Sequence, residues 1–558
     1  MEKHIFAMQI SHLLGEEFSR DWVYSQIETP KQEKLGDLAF PCFKLAASFR
    51  KSPHKIAEEL APQLKHDLFT SVAATKGYLN IFLNQNFIAE HTLKQILSGD
   101  YGKHEFGKNQ TIVIDLSAPN IAKPFSMGHL RSTIIGNSLA KIGESCGYQT
   151  VKINYIGDYG TQFGKLLAAY QKWGNEKTVR ESPIAELNKL YVKFHEEAKS
   201  TPSLNDEGRK WFKRLEQNDP KALELWKWFK DASLYEFNKV YDLLGVQFDL
   251  LRGEAYYNDK METVVTLLKE KELLQESDGA QVVRLDDQAL PPCLIKKSDD
   301  TTTYATRDLT AAIDRYESFS FTESLYVVGH EQSLHFNQIT HVLKKLHFPW
   351  ASHMKHIAFG MMLQDGKKMS TRRGKTVLLE KVLHEAIQLA KENIEEKNPA
   401  LPNKDKVAQQ VGVGAVIFHD LKHDRQNDVE FSLQDMLTFE GHTAPYLQYS
   451  YCRAKSLLLK GGFDLKEASP SLIVDGEWPL IKQLRAFPEV VKSAWQDYDP
   501  SKIARYLLDL AKSFNQYYTT TKILQGEQMK NRLTLVYSFS YVIEEGLSLL
   551  GIQSPEAM

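Results

Sequence analysis

The chain has 558 residues, 42% of them hydrophobic and 25% charged, with 69 basic against 71 acidic residues and a formal net charge of −2. That length exceeds one ordinary domain and points to three or four, with ample apolar material for their cores. The balanced charge gives no support for nucleic-acid recognition through a global basic excess, although local Lys and Arg clusters suffice for phosphate contacts. Apolar runs fall short of the roughly 18 residues that cross a bilayer. The amino terminus carries Glu2, His4 and Gln9 where a signal peptide is continuously apolar. Four cysteines without Cys-x-x-Cys spacing speak against a zinc site and for a reducing compartment, so a cytoplasmic enzyme is expected.

In chain order, helical patterns near 3–19 and 53–66 flank a turn-rich stretch at 29–37. A strand-like run at 77–83 follows, then a helix near 85–97. The segment 98–107, with Gly99, Gly102 and Gly107, reads as a linker, so residues 1–105 form the first expected domain. The apolar run 111–116 reads as a buried parallel strand and 132–142 as a helix. A strand, a turn with Pro and Gly, and a helix N-terminus make a phosphate site, because unpaired N–H groups and the helix dipole face the ligand. Gly128 is expected to let a nucleotide approach the backbone, with His129 over the phosphates.

A second strand is expected at 150–156. From 171 to 285 the chain turns helical and charge-rich, too long for a βα connection and therefore a separate insertion. The α/β rhythm is expected to return at Gln281-Val-Val-Arg284 and to continue through 324–329. Residues 106–170 and 286–380 thus read as one doubly wound domain interrupted by the insertion. After the run 357–363 comes Asp365-Gly-Lys-Lys-Met-Ser-Thr-Arg-Arg-Gly-Lys375, a polar loop whose cations can close over phosphate oxygens and stabilise their charge. The remainder, 381–558, reads as helical, and no repeat or low-complexity segment is visible.

The stretch Ser117-Ala-Pro-Asn-Ile-Ala-Lys-Pro-Phe-Ser-Met-Gly-His-Leu-Arg131 resembles the HIGH signature of class I aminoacyl-tRNA synthetases, and in particular its arginyl form. Ser126 stands where the signature has its first His. The loop from Lys368 resembles the second signature, KMSKS, with Thr371 replacing its second Lys. The resemblance implies that Lys123 supplies the missing cation. The implied catalytic set is Lys123, Ser126, Gly128, His129, Lys368, Met369, Ser370 and Arg372, and His335, Met362 and Leu363 are implied as further ATP contacts.

A guanidinium is planar, permanently charged and offers five donors, so holding it calls for carboxylates and amide oxygens. The family's arginine-binding positions correspond to Asp115, Asn120, Tyr304, Asp308 and Gln332; many arginyl members have Glu where this chain has Asp115. Asn154-Tyr-Ile-Gly-Asp-Tyr-Gly-Thr-Gln-Phe-Gly164 also matches, and its Asp158 and Gln162 either line the pocket or order the turn. Leu35-Gly-Asp37 and Tyr78-Leu-Asn80 resemble the N-terminal domain of arginyl members, which implies tRNA-elbow contacts at Tyr78 and Asn80. Glu440-Gly-His-Thr-Ala-Pro-Tyr-Leu-Gln-Tyr449 resembles the opening of their anticodon-binding bundle, with Tyr446 and Arg453 as RNA contacts.

The implied architecture is multidomain α/β plus α. It comprises an N-terminal α+β domain (1–105), a doubly wound parallel Rossmann-type catalytic domain (106–170 and 286–380), a connective insertion (171–285) and an all-α bundle (381–558). The implied activity is ligation of L-arginine to the 3′ end of tRNA(Arg) through an arginyl-adenylate. ATP is then a substrate accompanied by Mg²⁺, no structural metal or membrane is involved, and the chain is a monomer. In this family the first step generally requires bound tRNA. Two rivals are a nucleotidylyltransferase, which needs neither elbow domain nor bundle, and a tRNA-binding paralogue without catalysis, suggested by Ser126 and Thr371.

Overall fold

The β-branched run 111–114, closed by Asp115, makes Thr111–Asp115 the central strand of a five-stranded sheet ordered Met354–His356, Glu323–Tyr326, Thr111–Asp115, Gln149–Asn154, Leu250–Leu251. All neighbours are parallel, and Asp115 lies opposite Tyr326 on one side and Ile153 on the other. The computed structural model describes residues 2–299, 301–364, 366–368, 378–438, 440–471 and 476–558, the side chains of Glu33 and Lys368 excepted. The chain forms two compact units. One comprises Met1–Tyr101, Leu457–Arg485 and Ser513–Phe539, and the other Gly102–Ser456, Ala486–Lys512 and Ser540–Met558.

In the larger unit, the helix Met127–Ser145 packs on the central strand so closely that a Cβ at Gly136 would lie 2.5 Å from Leu116 Cβ. Only glycine permits that approach. Val113, Ile153, Leu309, Tyr326 and Val342 share one core. The insertion contains the helices Thr161–Trp173, Pro183–Ser200, Leu204–Glu216 and Pro220–Leu244, with a core of its own around Phe163, Leu187, Phe194, Leu215 and Phe229. It returns to the sheet at Leu250–Leu251.

The run 281–284 does not resume the parallel sheet. Ala280–Val283 lies in a separate three-stranded antiparallel sheet between Leu274–Ser277 and Cys293–Lys296. The turn at Asp278-Gly279, both with positive φ, reverses the chain into a hairpin there. Among the described residues beyond 378, helices dominate, but Val429–Glu430 adds a short parallel pairing to Met362 and Leu363.

In the smaller unit, Leu38–Pro41, Tyr78–Leu83 and Phe69–Thr75 make an antiparallel sheet with Tyr78–Leu83 in the middle. The helix expected to reach residue 19 stops at Leu14, because Gly15 takes φ +78° and Ser19 caps a new helix, Arg20–Gln26. The one expected over 53–66 stops at Leu60, ahead of Pro62. Tyr101 donates to the Leu484 carbonyl (3.0 Å), and Phe514 stacks on Phe539 at 3.8 Å, so Phe514 is core. All four cysteines are buried thiols. Among the described residues, no helix is long and apolar enough to cross a membrane.

Candidate active site

The second strand neighbours the first on one side and Glu323–Tyr326 neighbours it on the other, so the strand order reverses at Asp115 and Tyr326. Open α/β sheets bind ligands at the carboxyl ends of such strands. The turn leaving Asp115 is unusual: Ser117, Ala118 and Ala122 all adopt positive φ (75°, 50° and 57°) without being glycine. Such residues persist only where their surroundings over-determine them. Here the Ser117 N–H donates to Ser132 Oγ (2.9 Å), and Ser132 Oγ donates to the Val327 carbonyl (2.6 Å). Ser117 Oγ lies 2.9 Å from Thr133 Oγ1 and 2.8 Å from the Tyr241 hydroxyl.

Ser126 caps the Met127–Ser145 helix, and His129 completes a capping box. His129 Nδ1 lies 3.2 Å from both the Ser126 N–H and its Oγ. A backbone N–H can only donate, so Nδ1 accepts and the neutral ring carries its proton on Nε2. Burial, aided by the charge of Lys123, pushes the His129 pKa down to about 4. The ring is therefore a neutral donor at pH 7. A Cβ on Gly128 would meet only Ser126 Oγ, at 3.6 Å, which leaves the helix N-terminus open to a ligand.

Both ends of the second signature loop are tied to this element. On the entering side, Arg131 donates through Nη1 to the carbonyls of Gly360 (2.7 Å) and Asn427 (2.8 Å), and through Nε to Asp420 (3.1 Å). Arg131 and Asp420 are each 1% exposed. Met362–Gln364 follows, with Met362 buried, the Leu363 carbonyl accepting from Phe431 N–H, and Lys367 and Lys368 paired back on Gln364 and Leu363. The Gly366 N–H faces both carboxylate oxygens of Glu430 at 3.3 Å. On the leaving side, Leu378 bridges Ser126, and the Leu379 N–H donates to the Phe125 carbonyl (3.0 Å). Met369, Ser370, Thr371 and Arg372 lie outside the described residues.

Beside this element stands a carboxylate-rich wall. Asp308, in the helix Tyr304–Phe319, accepts from the Tyr155 hydroxyl (3.0 Å) and pairs with His335 Nε2 (2.6 Å). Burial, reinforced by Asp308, holds the Tyr155 pKa well above its usual value, so its proton stays on. Asp115 is 4% exposed and accepts from the fully buried Arg315 (2.7 Å), whose guanidinium lies over the rings of Tyr155 and Tyr326. Burial raises the Asp115 pKa and Arg315 opposes the rise.

Asp158 is fully buried and accepts from Lys230 Nζ (2.7 Å) and Ala255 N–H (2.9 Å), so it orders the turn and fastens it to the insertion. Glu254 stands 4.0 Å from Arg307, and burial pushes its pKa up to about 7. Tyr304 is 64% exposed at its helix start, Asn120 bridges Gly157, and Gln332 is exposed at the end of the short turn His330–Gln332.

Tyr155, Glu254, Arg307 and Arg315 escaped the sequence reading. Arg315 carried one signal: it follows Asp308 by two helical turns and so shares its face. Among the described residues, no group of three or more His, Cys, Asp or Glu could hold a metal. Of the RNA-directed residues, Tyr78 is half-buried with its ring against the exposed Phe43 (5.2 Å), whereas Asn80, in the central strand of its sheet, is only 4% exposed. Tyr446 is half-buried, and Arg453 lies over the exposed Tyr449 ring at 4.9 Å.

Three family models match the chain: tRNA synthetases class I (R), catalytic domain, over 92–433; DALR anticodon binding domain, over 447–558; and Arginyl tRNA synthetase N terminal domain, over 3–83. The chain is 54% identical to Arginine--tRNA ligase 2 of Bacillus anthracis over 556 residues, 99% of each chain. It is 50% identical to Arginine--tRNA ligase of Enterococcus faecalis over 560 residues, 100% of each. The Thermus thermophilus arginyl-tRNA synthetase structure matches with a TM-score of 0.82 at 26% identity, covering 100% of both chains. That of Plasmodium falciparum matches at 0.78 and 25% identity, covering 95% of this chain and 94% of the other. With relatives at such identity along its whole length and its core in the class I arrangement, the chain belongs to the arginyl-tRNA synthetase family.

Proposed function

We infer that this chain ligates L-arginine to the 3′ end of its tRNA in two steps. A carboxylate oxygen of arginine attacks the α-phosphorus of ATP, the bond to the β-phosphate oxygen breaks, and pyrophosphate leaves. A ribose hydroxyl of the terminal tRNA adenosine, the 2′ one by class, then attacks the carbonyl carbon of the arginyl-adenylate and AMP leaves. No side chain acts as nucleophile; the protein supplies position and charge stabilisation. Nε2–H of His129 donates to a phosphate oxygen, the open backbone at Gly128 receives the nucleotide, and Lys123 with Lys368 offsets the charge that develops on pyrophosphate. Ser126 holds the His129 ring, and His335, Met362 and Leu363 line the adenosine. ATP enters as its Mg²⁺ complex, the metal held largely by phosphates and water.

Around the arginine guanidinium we place Asn120, Tyr304, Asp308 and Gln332, with Asp115 behind them, its carboxylate held by Arg315. Tyr78 and Asn80 meet the tRNA elbow, and Tyr446 and Arg453 its anticodon arm. What supports the reading is that the segments flanking the second signature are tied to the first, through Arg131–Gly360 and Ser126–Leu378, next to a wall of carboxylates. The same reading puts a monomer in the cytoplasm, checked by sedimentation of the purified protein and by fractionation. Pyrophosphate exchange that needs ATP, arginine and tRNA together is the test. tRNA binding with no exchange contradicts catalysis, and exchange without tRNA contradicts the ordered first step.

A further inference from the structure

We propose that the helical insertion is the positioning device for Lys123, with Ser233 fixing the bend at Ala122 just before it and Tyr191 its ammonium. The proposal rests on the reading of Lys123 as a catalytic cation. Lys123 follows Ala122, one of the three non-glycine residues of the 117–122 turn with positive φ (57°). An alanine held there relaxes towards negative φ unless something opposes it, and relaxation swings the next side chain away.

Two elements oppose it. On one side Ile121 N–H donates to the Gly157 carbonyl (3.1 Å), and Gly157 N–H to the Pro119 carbonyl (3.0 Å). On the other, Ala122 N–H donates to Ser233 Oγ (2.9 Å), in the middle of the helix Pro220–Leu244. Ser233 is fully buried, and its own proton goes to the Phe229 carbonyl (2.6 Å), so the hydroxyl rotor is fixed with a lone pair aimed at Ala122.

Past this bend, Lys123 Nζ lies over the Tyr191 ring at 5.4 Å, within the range of cation–π attraction. Tyr191 sits in the helix Pro183–Ser200, and its ring meets that of His195, one turn on, edge to face at 4.6 Å. Two helices of the insertion thus hold the bend at Ala122 and the ammonium of Lys123 that follows it. The Tyr191 ring attracts the ammonium through its π face and brings no counter-charge of its own. Neither residue need touch substrate, so both act through Lys123.

The experiment is a double-mutant cycle on arginine- and tRNA-dependent pyrophosphate exchange with the full chain. Ser233→Ala is expected to lower kcat between roughly 10- and 100-fold, the range for a misplaced reacting group, while KM for arginine stays within about 2-fold. In a Lys123→Ala background the same change is expected to alter kcat by less than about 2-fold, because the residue it acts through is gone. Tyr191→Phe, which keeps the ring, is expected to retain activity, and Tyr191→Leu to lower it. Circular dichroism and thermal unfolding check that the variants fold. Equal losses from Ser233→Ala with and without Lys123 overturn the proposal and leave catalysis by Lys123 standing. An exchange rate untouched by Lys123→Ala alone instead removes the catalytic role on which the proposal rests. A fully active Tyr191→Leu removes the aromatic half.

Discussion

Asp308 is oriented by two donors, Tyr155 and His335, one on each oxygen, and each oxygen keeps a second lone pair for a guanidinium. Asp308→Asn retains the shape but loses charge-assisted bonds of about 1.5–3 kcal/mol, so KM for arginine should rise roughly 10- to 150-fold and preference over lysine should shrink. Steady-state exchange with both amino acids checks this; a rise below about 2-fold takes Asp308 out of the pocket. Arg315 presents the opposite case, a cation fully buried against Asp115. Arg315→Met strands the Asp115 carboxylate in the core and should destabilise the fold by about 3–5 kcal/mol in urea titration, with partial recovery when Asp115→Asn is added. Residues 117–131 were legible because their chemistry is local: a strand end, a turn and a helix cap lie within fifteen positions. Arg315 and Glu254 were not, since the partners that matter to them, Asp115 and Arg307, meet them only once the sheet and insertion have folded.

Among the elements, the Met127–Ser145 helix does more than offer an open N-terminus at Gly128. Through Arg131 it fastens the segment entering the second signature and the 425–427 loop, while Asp420 reaches in from the helix Lys404–Leu421. Asp420→Asn leaves a buried guanidinium without its counter-charge. A stability loss of about 3 kcal/mol and a higher KM for ATP are expected, read by urea titration and exchange kinetics. An unchanged KM for ATP would falsify the link between this hub and the loop. At this scale the sequence located three of the five parallel strands, at 111–116, 150–156 and 324–329, and the helix Gln85–Leu97, because apolar runs and periods dominate there; it did not single out the short strands Leu250–Leu251 and Met354–His356. It failed at 281–284, where a four-residue strand carries too little period to tell a hairpin from a parallel crossover, and at Val429–Glu430, whose two residues form a strand only because Met362 and Leu363 lie alongside.

For the molecule as a whole, acid sensitivity follows from two histidines. Burial holds His129 and His419 at about 4, against about 6.5 when unfolded. As pH falls below 6.5, the unfolded chain takes up protons that the folded one refuses until about 4, so stability declines across that window and is intact above it. Urea midpoints at pH 7.5, 6 and 5 should fall in that order, and less steeply in His419→Gln. Tyr78→Ala should raise KM for tRNA roughly 5- to 100-fold, the worth of one base stacked on an aromatic ring, with kcat at saturating tRNA little changed. An unaltered KM would release Tyr78 from RNA contact. Finally, the left-handed residues Ser117, Ala118 and Ala122 set stability against turnover. Glycine at any of them would relieve a steric penalty of about 1–2 kcal/mol but loosen the bend that leads into Lys123, the cation proposed for catalysis. Laboratory selection for heat resistance alone would therefore drift towards glycine there and yield sturdier, slower catalysts, whereas selection for translation speed keeps the bulkier residues in place.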